Sequence, residues 1–227
     1  MRSIDIARNL DSLTVISRRA LESAFALSRQ MHHAPIAVDG TTGNGHDTLF
    51  LASSVGSEGR VWAFDIQAEA LEAASRRLAG VDAVREGRIA ESCLLDRVRF
   101  VHAGHETLAE VLPEKARGNV WGAMFNLGFL PGSDRLVITN PATTIAALEA
   151  LAPYVPCGGV VSVHGYMGHD GGAMETGIVS SWFEERLWDD WRVARYSFVN
   201  KKHNQEVLFL AERVGNRKET QGEESLP

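Results

Sequence analysis

Short apolar segments alternate with helix-length segments along most of this chain, and this alternation constrains its fold more than any other feature. Alternating strands and helices imply a mostly parallel sheet with helices on both faces, because each crossover lays a helix against the sheet. Strands are predicted at residues 36–39, 60–65, 97–102, 120–126, 159–164, 192–198 and 206–212. Helices are predicted at residues 11–31, 47–55, 68–79, 106–112, 144–152 and 175–188.

The last two predicted strands are separated only by residues 199–205, which is too short for a parallel crossover. We therefore predict a Rossmann-like α/β fold with a seven-stranded sheet that ends in an antiparallel hairpin. By analogy, this is the architecture of class I methyltransferases that use S-adenosylmethionine (SAM). A length of 227 residues favours one domain over residues 1–214, followed by a polar, flexible tail at 215–227.

A glycine-rich turn follows the first predicted strand and reads Asp39-Gly40-Thr41-Thr42-Gly43-Asn44-Gly45. Glycines allow a sharp turn and let a ligand approach the N–H groups at the start of the next helix. A dinucleotide fingerprint would need Gly or Ala where Thr48 stands, whereas an acid at Asp39 suits a ligand with an amino or sulfonium group. Either ligand would place its ribose hydroxyls on Asp65. The alternative is that both acids are only caps.

The fourth predicted strand ends at Asn126, which is followed by an apolar loop containing Pro131. An amine methyltransferase must aim a nitrogen lone pair at the methyl group, and an Asn carbonyl can accept an amine hydrogen to do so. This pattern predicts a catalytic role for Asn126. The alternative is that Asn126 is a simple turn residue.

Two further strand ends meet the same edge of the predicted sheet. Gly104 and His105 follow the third strand, where they could border the adenine of a nucleoside cofactor. Tyr166 and His169 follow the fifth strand, and we expect one or the other to contact the substrate. The alternative is that this loop simply packs on itself. His164 and His169 have no further ligand cluster nearby in sequence, so we expect no metal.

These motifs together resemble one family, the YtqB/MnmM-like class I SAM-dependent methyltransferases, first labelled rRNA methylases. The resemblance covers about residues 31–212. It is carried by Asp39-x-Thr41-x-Gly43-Asn44-Gly45-x-Asp47-Thr48, Phe64-Asp65-Ile66-Gln67, Gly104-His105, Phe125-Asn126-Leu127-Gly128-Phe129-Leu130-Pro131 and Tyr166-x-Gly168-His169-x-Gly171-Gly172.

The resemblance implies methylation of the 5-aminomethyl group of (2-thio)uridine at the tRNA wobble position, with SAM as the cofactor and the tRNA anticodon loop as the partner. It implies that Asn126, Tyr166 and His169 face the modified base. It also implies that the cofactor is held by Asp39, Thr42, Gly43, Asn44, Gly45, Asp65, Gln67, Gly104 and His105. The chain departs from the family pattern at Gly40 and Phe129, and also in residues 81–96 and 200–206.

The distribution of charged residues limits how this chain could bind a nucleic acid. The chain carries 23 Lys and Arg against 29 Asp and Glu, a net charge of −6, which excludes non-specific coating of nucleic acid. Residues 1–35 hold five Arg against three acids, a net charge of +2. Arg18 and Arg19 on the first helix could therefore contact phosphates, or the helix could simply cover the sheet.

The cysteines and the hydropathy point to the cytoplasm. Cys93 and Cys157 form no CxxC pair, which fits a reducing compartment. No apolar run approaches the ~20 residues needed to span a bilayer, so we expect no membrane partner. The sequence leaves open whether the chain is a monomer or a homodimer.

Other functions fit parts of the same sequence. An rRNA or small-molecule methyltransferase would use the same fold, because fold does not determine substrate. A homologue that binds SAM or RNA without catalysis is a third alternative, although the retained acid, glycine and Asn126 positions argue against it. An NAD-dependent oxidoreductase is the weakest alternative, given Thr48 at the third fingerprint position.

Overall fold

The computed structural model of this chain contains a seven-stranded sheet and describes residues 11–85, 93–128, 138–168, 171–186, 189–203 and 205–215. The strands are β1 (Ile36–Asp39), β2 (Arg60–Asp65), β3 (Val98–His102), β4 (Val120–Leu127), β5 (Val160–Tyr166), β6 (Trp191–Tyr196) and β7 (Glu206–Arg213). The helices are α1 (Leu13–Gln30), α2 (His46–Ser54), α3 (Ala68–Arg85), α4 (Leu108–Val111), α5 (Pro141–Leu151) and α6 (Gly172–Glu184).

The strand order is β3-β2-β1-β4-β5-β7-β6, and β7 runs antiparallel to both of its neighbours while the remaining pairs are parallel. This confirms the predicted sheet and its C-terminal hairpin. The hairpin is inserted so that β7, not β6, pairs with β5. Burial explains this order, because Val207, Leu208 and Phe209 are buried as an inner strand requires, whereas β6 lies at the sheet edge.

Most element boundaries agree with the prediction to within a few residues, and two helices differ more. α3 continues past its predicted end at residue 79 and reaches Arg85. The segment predicted as one helix at 106–112 begins with a 3-10 turn, in which the N–H of Thr107 donates to the carbonyl of Gly104 over 3.1 Å, and continues as the short α4. α5 begins at Pro141 because the side chain of Asn140 caps the N–H of Ala142.

A hydrophobic core lies on each face of the sheet. One core packs α1, α2 and α3 against the sheet and includes Leu21, Phe25, Leu51, Leu78, Trp121 and Met124. The other packs α4, α5 and α6 and includes Phe64, Leu108, Phe125, Leu148, Val163 and Phe183. α1 lies close to β4 because Gly122 has no side chain, and a Cβ there would be 2.6 Å from the ring of Phe25.

The described residues contain no helix that is both long and apolar enough to cross a membrane.

We predict that α1 contributes to stability through its buried face. Phe25 is 0% exposed, so Phe25→Ala should lower the free energy of unfolding by about 3–5 kcal/mol. Val15 on the same helix is 38% exposed, and Val15→Ala should change it by less than about 1 kcal/mol. Urea unfolding of both variants checks this, and equal losses would contradict the packing of α1 described above.

Candidate active site

The carboxyl ends of the parallel strands border a cavity of about 740 Å³. Its volume is in the range of small-molecule sites, about 300–1,000 Å³, and ligands of open α/β sheets bind at this edge. Of the residues singled out in the sequence, those that line the cavity are Thr42, Gly43, Asn44, Asp65, Gln67, Gly104, His105, Asn126 and Tyr166. His169 lies outside the described residues, as do Phe129 and Pro131 of the loop after β4.

Asp39 and Gly45 are the two ends of the glycine-rich turn and, unlike the residues between them, do not line the cavity. The carboxylate of Asp39 is fully buried, where it accepts the N–H of Thr41 over 3.1 Å and the hydroxyl of Thr48 over 2.6 Å. Gly45 has a φ of 75°, and a Cβ there would be 2.5 Å from the Cα of Ala74 in α3. These two residues therefore shape the turn from which the cavity is built.

Burial, together with the nearby carboxylates of Asp47 and Asp65, raises the pKa of Asp39 to about 7, against the two hydrogen bonds that lower it. A positive charge in the cavity would favour the ionised form of Asp39. The acidic residues at this edge thus give the cavity a preference for cationic ligands.

Asp65 at the end of β2 is held by two backbone groups. The N–H of Gly43 donates to its Oδ2 over 2.8 Å, and the N–H of Gln67 donates to its Oδ1 over 2.9 Å. Each carboxylate oxygen can accept a second hydrogen bond, so a rigid pair of acceptors remains for ligand hydroxyls.

His105 carries an unpaired polar atom in the cavity wall. Its Nδ1 lies 2.9 Å from the carbonyl oxygen of Gly40, and its ring packs edge-on against Phe125. The carbonyl can only accept, so Nδ1 carries the hydrogen and Nε2 is left as an acceptor. This Nε2 is buried with no hydrogen-bond partner among the described residues, and a ligand N–H would satisfy it.

Asn126 is fixed at the end of β4 by two contacts with the turn. Its backbone N–H donates to the hydroxyl of Thr41 over 2.7 Å, and its Nδ2 donates to Asp47 Oδ2 over 2.8 Å. A carboxylate cannot donate, so the amide nitrogen must face Asp47. The amide Oδ1 is therefore the atom of this side chain that is left for a ligand.

Asp47 and Arg18 complete this network, and the sequence analysis assigned neither of them to the cavity. Arg18 Nη2 lies 3.0 Å from Asp47 Oδ1, and its guanidinium lies over the ring of Phe50. The charge of Arg18 is thus neutralised by Asp47 in the cavity wall, and Arg19 forms an ion pair with Asp11. The sequence feature that could have identified Asp47 is its position in the first turn of α2, directly after the glycine-rich turn.

Tyr166 lies at the end of a chain of polar contacts. Its hydroxyl is 3.4 Å from His164 Nδ1, His164 Nε2 is 3.1 Å from Glu206 Oε2, and Lys201 Nζ donates to Glu206 Oε1 over 2.6 Å. Burial lowers the pKa of His164 and raises that of Tyr166 to about 12. Both rings are therefore neutral at physiological pH, and Tyr166 offers a hydroxyl rather than a base.

Glu175 of α6 anchors the two ends of the loop after β4. Its Oε2 accepts the hydroxyl of Thr139 over 2.6 Å and its Oε1 accepts the hydroxyl of Thr144 over 2.9 Å. The N–H of Gly128 donates to Thr139 Oγ1 over 2.9 Å, and the carbonyl of Gly128 accepts the N–H of Thr139. The two ends of this loop, at Gly128 and Thr139, are therefore held together close to Asn126.

Comparison with known sequences places this architecture in a defined group. A family described as "Putative rRNA methylase" matches residues 61–212. A chloroplastic tRNA (mnm(5)s(2)U34)-methyltransferase from Arabidopsis thaliana is 31% identical over 202 residues, which cover 86% of this chain and 70% of that protein.

Solved structures show the same fold. A "putative rRNA-methylase" from Clostridium thermocellum is 29% identical with a TM-score of 0.77, covering 91% of this chain and 100% of the other. A "putative methyltransferase" from Streptococcus mutans in complex with SAH is 25% identical with a TM-score of 0.71, covering 90% and 99%.

We predict that Asp39 makes stability pH-dependent. Its folded pKa of about 7 is above its ordinary value of 3.8, so the folded chain binds more protons between these values. The contribution of Asp39 is thus fully present below pH 4 and declines as the pH rises to 7, by at most about 4 kcal/mol. Asp39→Asn lacks this titration.

Urea unfolding of the wild-type and Asp39→Asn proteins without ligand, from pH 4 to pH 8, measures this effect. The wild-type free energy of unfolding should fall relative to that of the variant as the pH rises, while other titrating groups cancel in the difference. Parallel curves would show that Asp39 is ionised throughout.

Proposed function

Because this chain belongs to the family described as "Putative rRNA methylase", we propose that it methylates the 5-aminomethyl group of 2-thiouridine at the tRNA wobble position. Membership in the family confirms the resemblance found in the sequence and makes the chain a SAM-dependent methyltransferase. The observation that carries the substrate proposal is the fixed amide of Asn126. Its Nδ2 is bound to Asp47, and its Oδ1 remains for an amine hydrogen.

The cavity residues fit SAM by their chemistry. SAM has a positive sulfonium and a positive amino group, and the turn brings the carboxylates of Asp39, Asp47 and Asp65 to one edge of the sheet. We assign Asp65 to the ribose hydroxyls, because both of its oxygens are held in place and can each accept again. The unpaired Nε2 of His105 would accept an N–H of the adenine.

When bound, SAM supplies a methyl group on an electrophilic sulfonium. Asn126 Oδ1 accepts one hydrogen of the neutral substrate amine and so orients its lone pair. As the bond between the nitrogen and the methyl group forms, the methyl–sulfur bond would break and a neutral thioether would leave. The positive charge would pass to the nitrogen, where the carboxylate of Asp47 beside Asn126 would stabilise it. The ammonium proton then passes to solvent, since Asn126 can orient the amine but cannot take up a proton.

Tyr166 and His169 are proposed to contact the base. Tyr166 lines the cavity beside Gln205, and a flat aromatic ring there suits a nucleobase that has been splayed out of a single-stranded loop. The role of His169 is a prediction from the sequence alone. We propose that the enzyme acts in the cytoplasm on the tRNA anticodon loop.

The decisive test is nucleoside mass spectrometry of tRNA from cells that lack this gene. We expect 5-aminomethyl-2-thiouridine to accumulate and its methylated form to disappear, and purified enzyme with SAM should restore the methyl group. Unchanged tRNA nucleosides together with a lost methyl group in rRNA would instead identify an rRNA methyltransferase. Unchanged nucleosides in both RNAs would contradict an RNA substrate.

We predict that Asn126→Ala removes the orientation of the amine without removing the cofactor site. We expect kcat to fall at least about 100-fold, because orientation contributes much of the rate. The Kd for SAM should change by less than about 2-fold, as measured by calorimetry. Thr143→Ala is the matched control, since Thr143 also lines the cavity and its hydroxyl donates to the carbonyl of Asn140 at the start of the same helix. A variant that turns over normally would exclude Asn126 from the chemistry.

A further inference from the structure

The connection between β6 and β7, described at residues 197–203 and 205, reaches the cavity at Gln205. β7 begins at Glu206, which pairs with Tyr166 at the carboxyl end of β5, and β6 ends nearby at Tyr196. Gln205 itself lines the cavity, and its carbonyl accepts the N–H of Met167 over 2.9 Å. Strands in a sheet lie about 4.8 Å apart, so the end of β6 is about 10 Å from β5.

This part of the chain is strongly basic. Residues 191–205 contain four Lys and Arg and no Asp or Glu, in a chain whose net charge is −6. Arg195 and Lys202 are exposed, and neither has a salt-bridge partner among the described residues. Lys201 is instead bound to Glu206. Two positive charges therefore stand free beside the cavity.

The described arginines of α1 nearest the cavity offer no comparable charge. Arg18 is bound to Asp47 and Arg19 to Asp11, so the two arginines that the sequence suggested for phosphate contact on α1 are already paired. The cavity wall is acidic at Asp65, which repels phosphate. A basic rim is therefore the favourable approach for a nucleic-acid backbone.

Apolar surface accompanies the charge. Val199 is 99% exposed at the turn between β6 and β7, and Tyr196 is 39% exposed at the end of β6. Positive and apolar side chains side by side suit an unpaired strand, whose phosphates and bases are both accessible.

We propose that residues 195–203, here called the β6–β7 rim, bind the phosphates of single-stranded RNA next to the nucleotide that enters the cavity. This inference rests on the proposed function for the identity of the RNA. Arg195 and Lys202 carry the phosphate contacts, and Val199 lies against a neighbouring sugar or base. The rim holds the loop while the acidic cavity receives only the uncharged, amine-bearing base.

The test is the salt dependence of tRNA binding, measured with unmethylated tRNA from cells that lack the gene. Each single-stranded phosphate that is neutralised contributes about 0.7 to the slope of log K against log salt. Arg195→Ala with Lys202→Ala should therefore lower the slope by about 1.4, which weakens binding about 25-fold at 0.1 M relative to 1 M salt. KM for tRNA should rise, while kcat at saturation and the Kd for SAM stay unchanged.

The matched control is Arg99→Ala with Lys115→Ala. It removes the same charge from exposed positions on the far edge strand β3 and in the turn before β4. A slope and affinity equal to those of this control would overturn the rim while leaving the proposed function intact. Wild-type protein that neither binds this tRNA nor methylates it would overturn both.

Discussion

The buried carboxylate of Asp39 fixes the turn on which the rest of the active site depends. By accepting the N–H of Thr41 and the hydroxyl of Thr48, it ties the end of β1 to the first turns of α2. The same turn presents the N–H of Gly43 to Asp65, and Thr41 and Asp47 to Asn126. One short segment thus links the carboxyl ends of three neighbouring strands, β1, β2 and β4.

This construction concentrates negative charge where the proposed cofactor is positive. Burying Asp39 near Asp47 and Asp65 is unfavourable in the free protein, and the raised pKa of Asp39 expresses that cost. A sulfonium and an amino group would offset it, so part of the electrostatic strain of the fold would be relieved by SAM. Phosphates would bind at the basic β6–β7 rim, which is separate from the acidic region proposed for the cofactor.

The sequence predicted the local elements better than the contacts between them. The periods of the apolar residues gave the strands and helices, and the short connection after β6 gave the hairpin. The pairing of β7 with β5 depends on which strand buries both faces, a property of the whole sheet. Asp47 and Arg18 could not be assigned to the site from the sequence. Asp47 is 79 residues from Asn126 and 29 residues from Arg18, and only the tertiary structure brings the three together.

The protonation states around the cavity bear on the kind of nucleophile that the proposed reaction can use. Both ring nitrogens of His164 are engaged, with Glu206 and with Tyr166, and burial raises the pKa of Tyr166 to about 12, so neither side chain offers a free base to the amine. The carboxylates would by themselves favour the protonated ammonium form of an amine, which has no lone pair. A bound sulfonium opposes this effect and favours the neutral amine. Asn126 then needs only to orient that amine, so a neutral amide meets the demands of this position and a stronger base is not required.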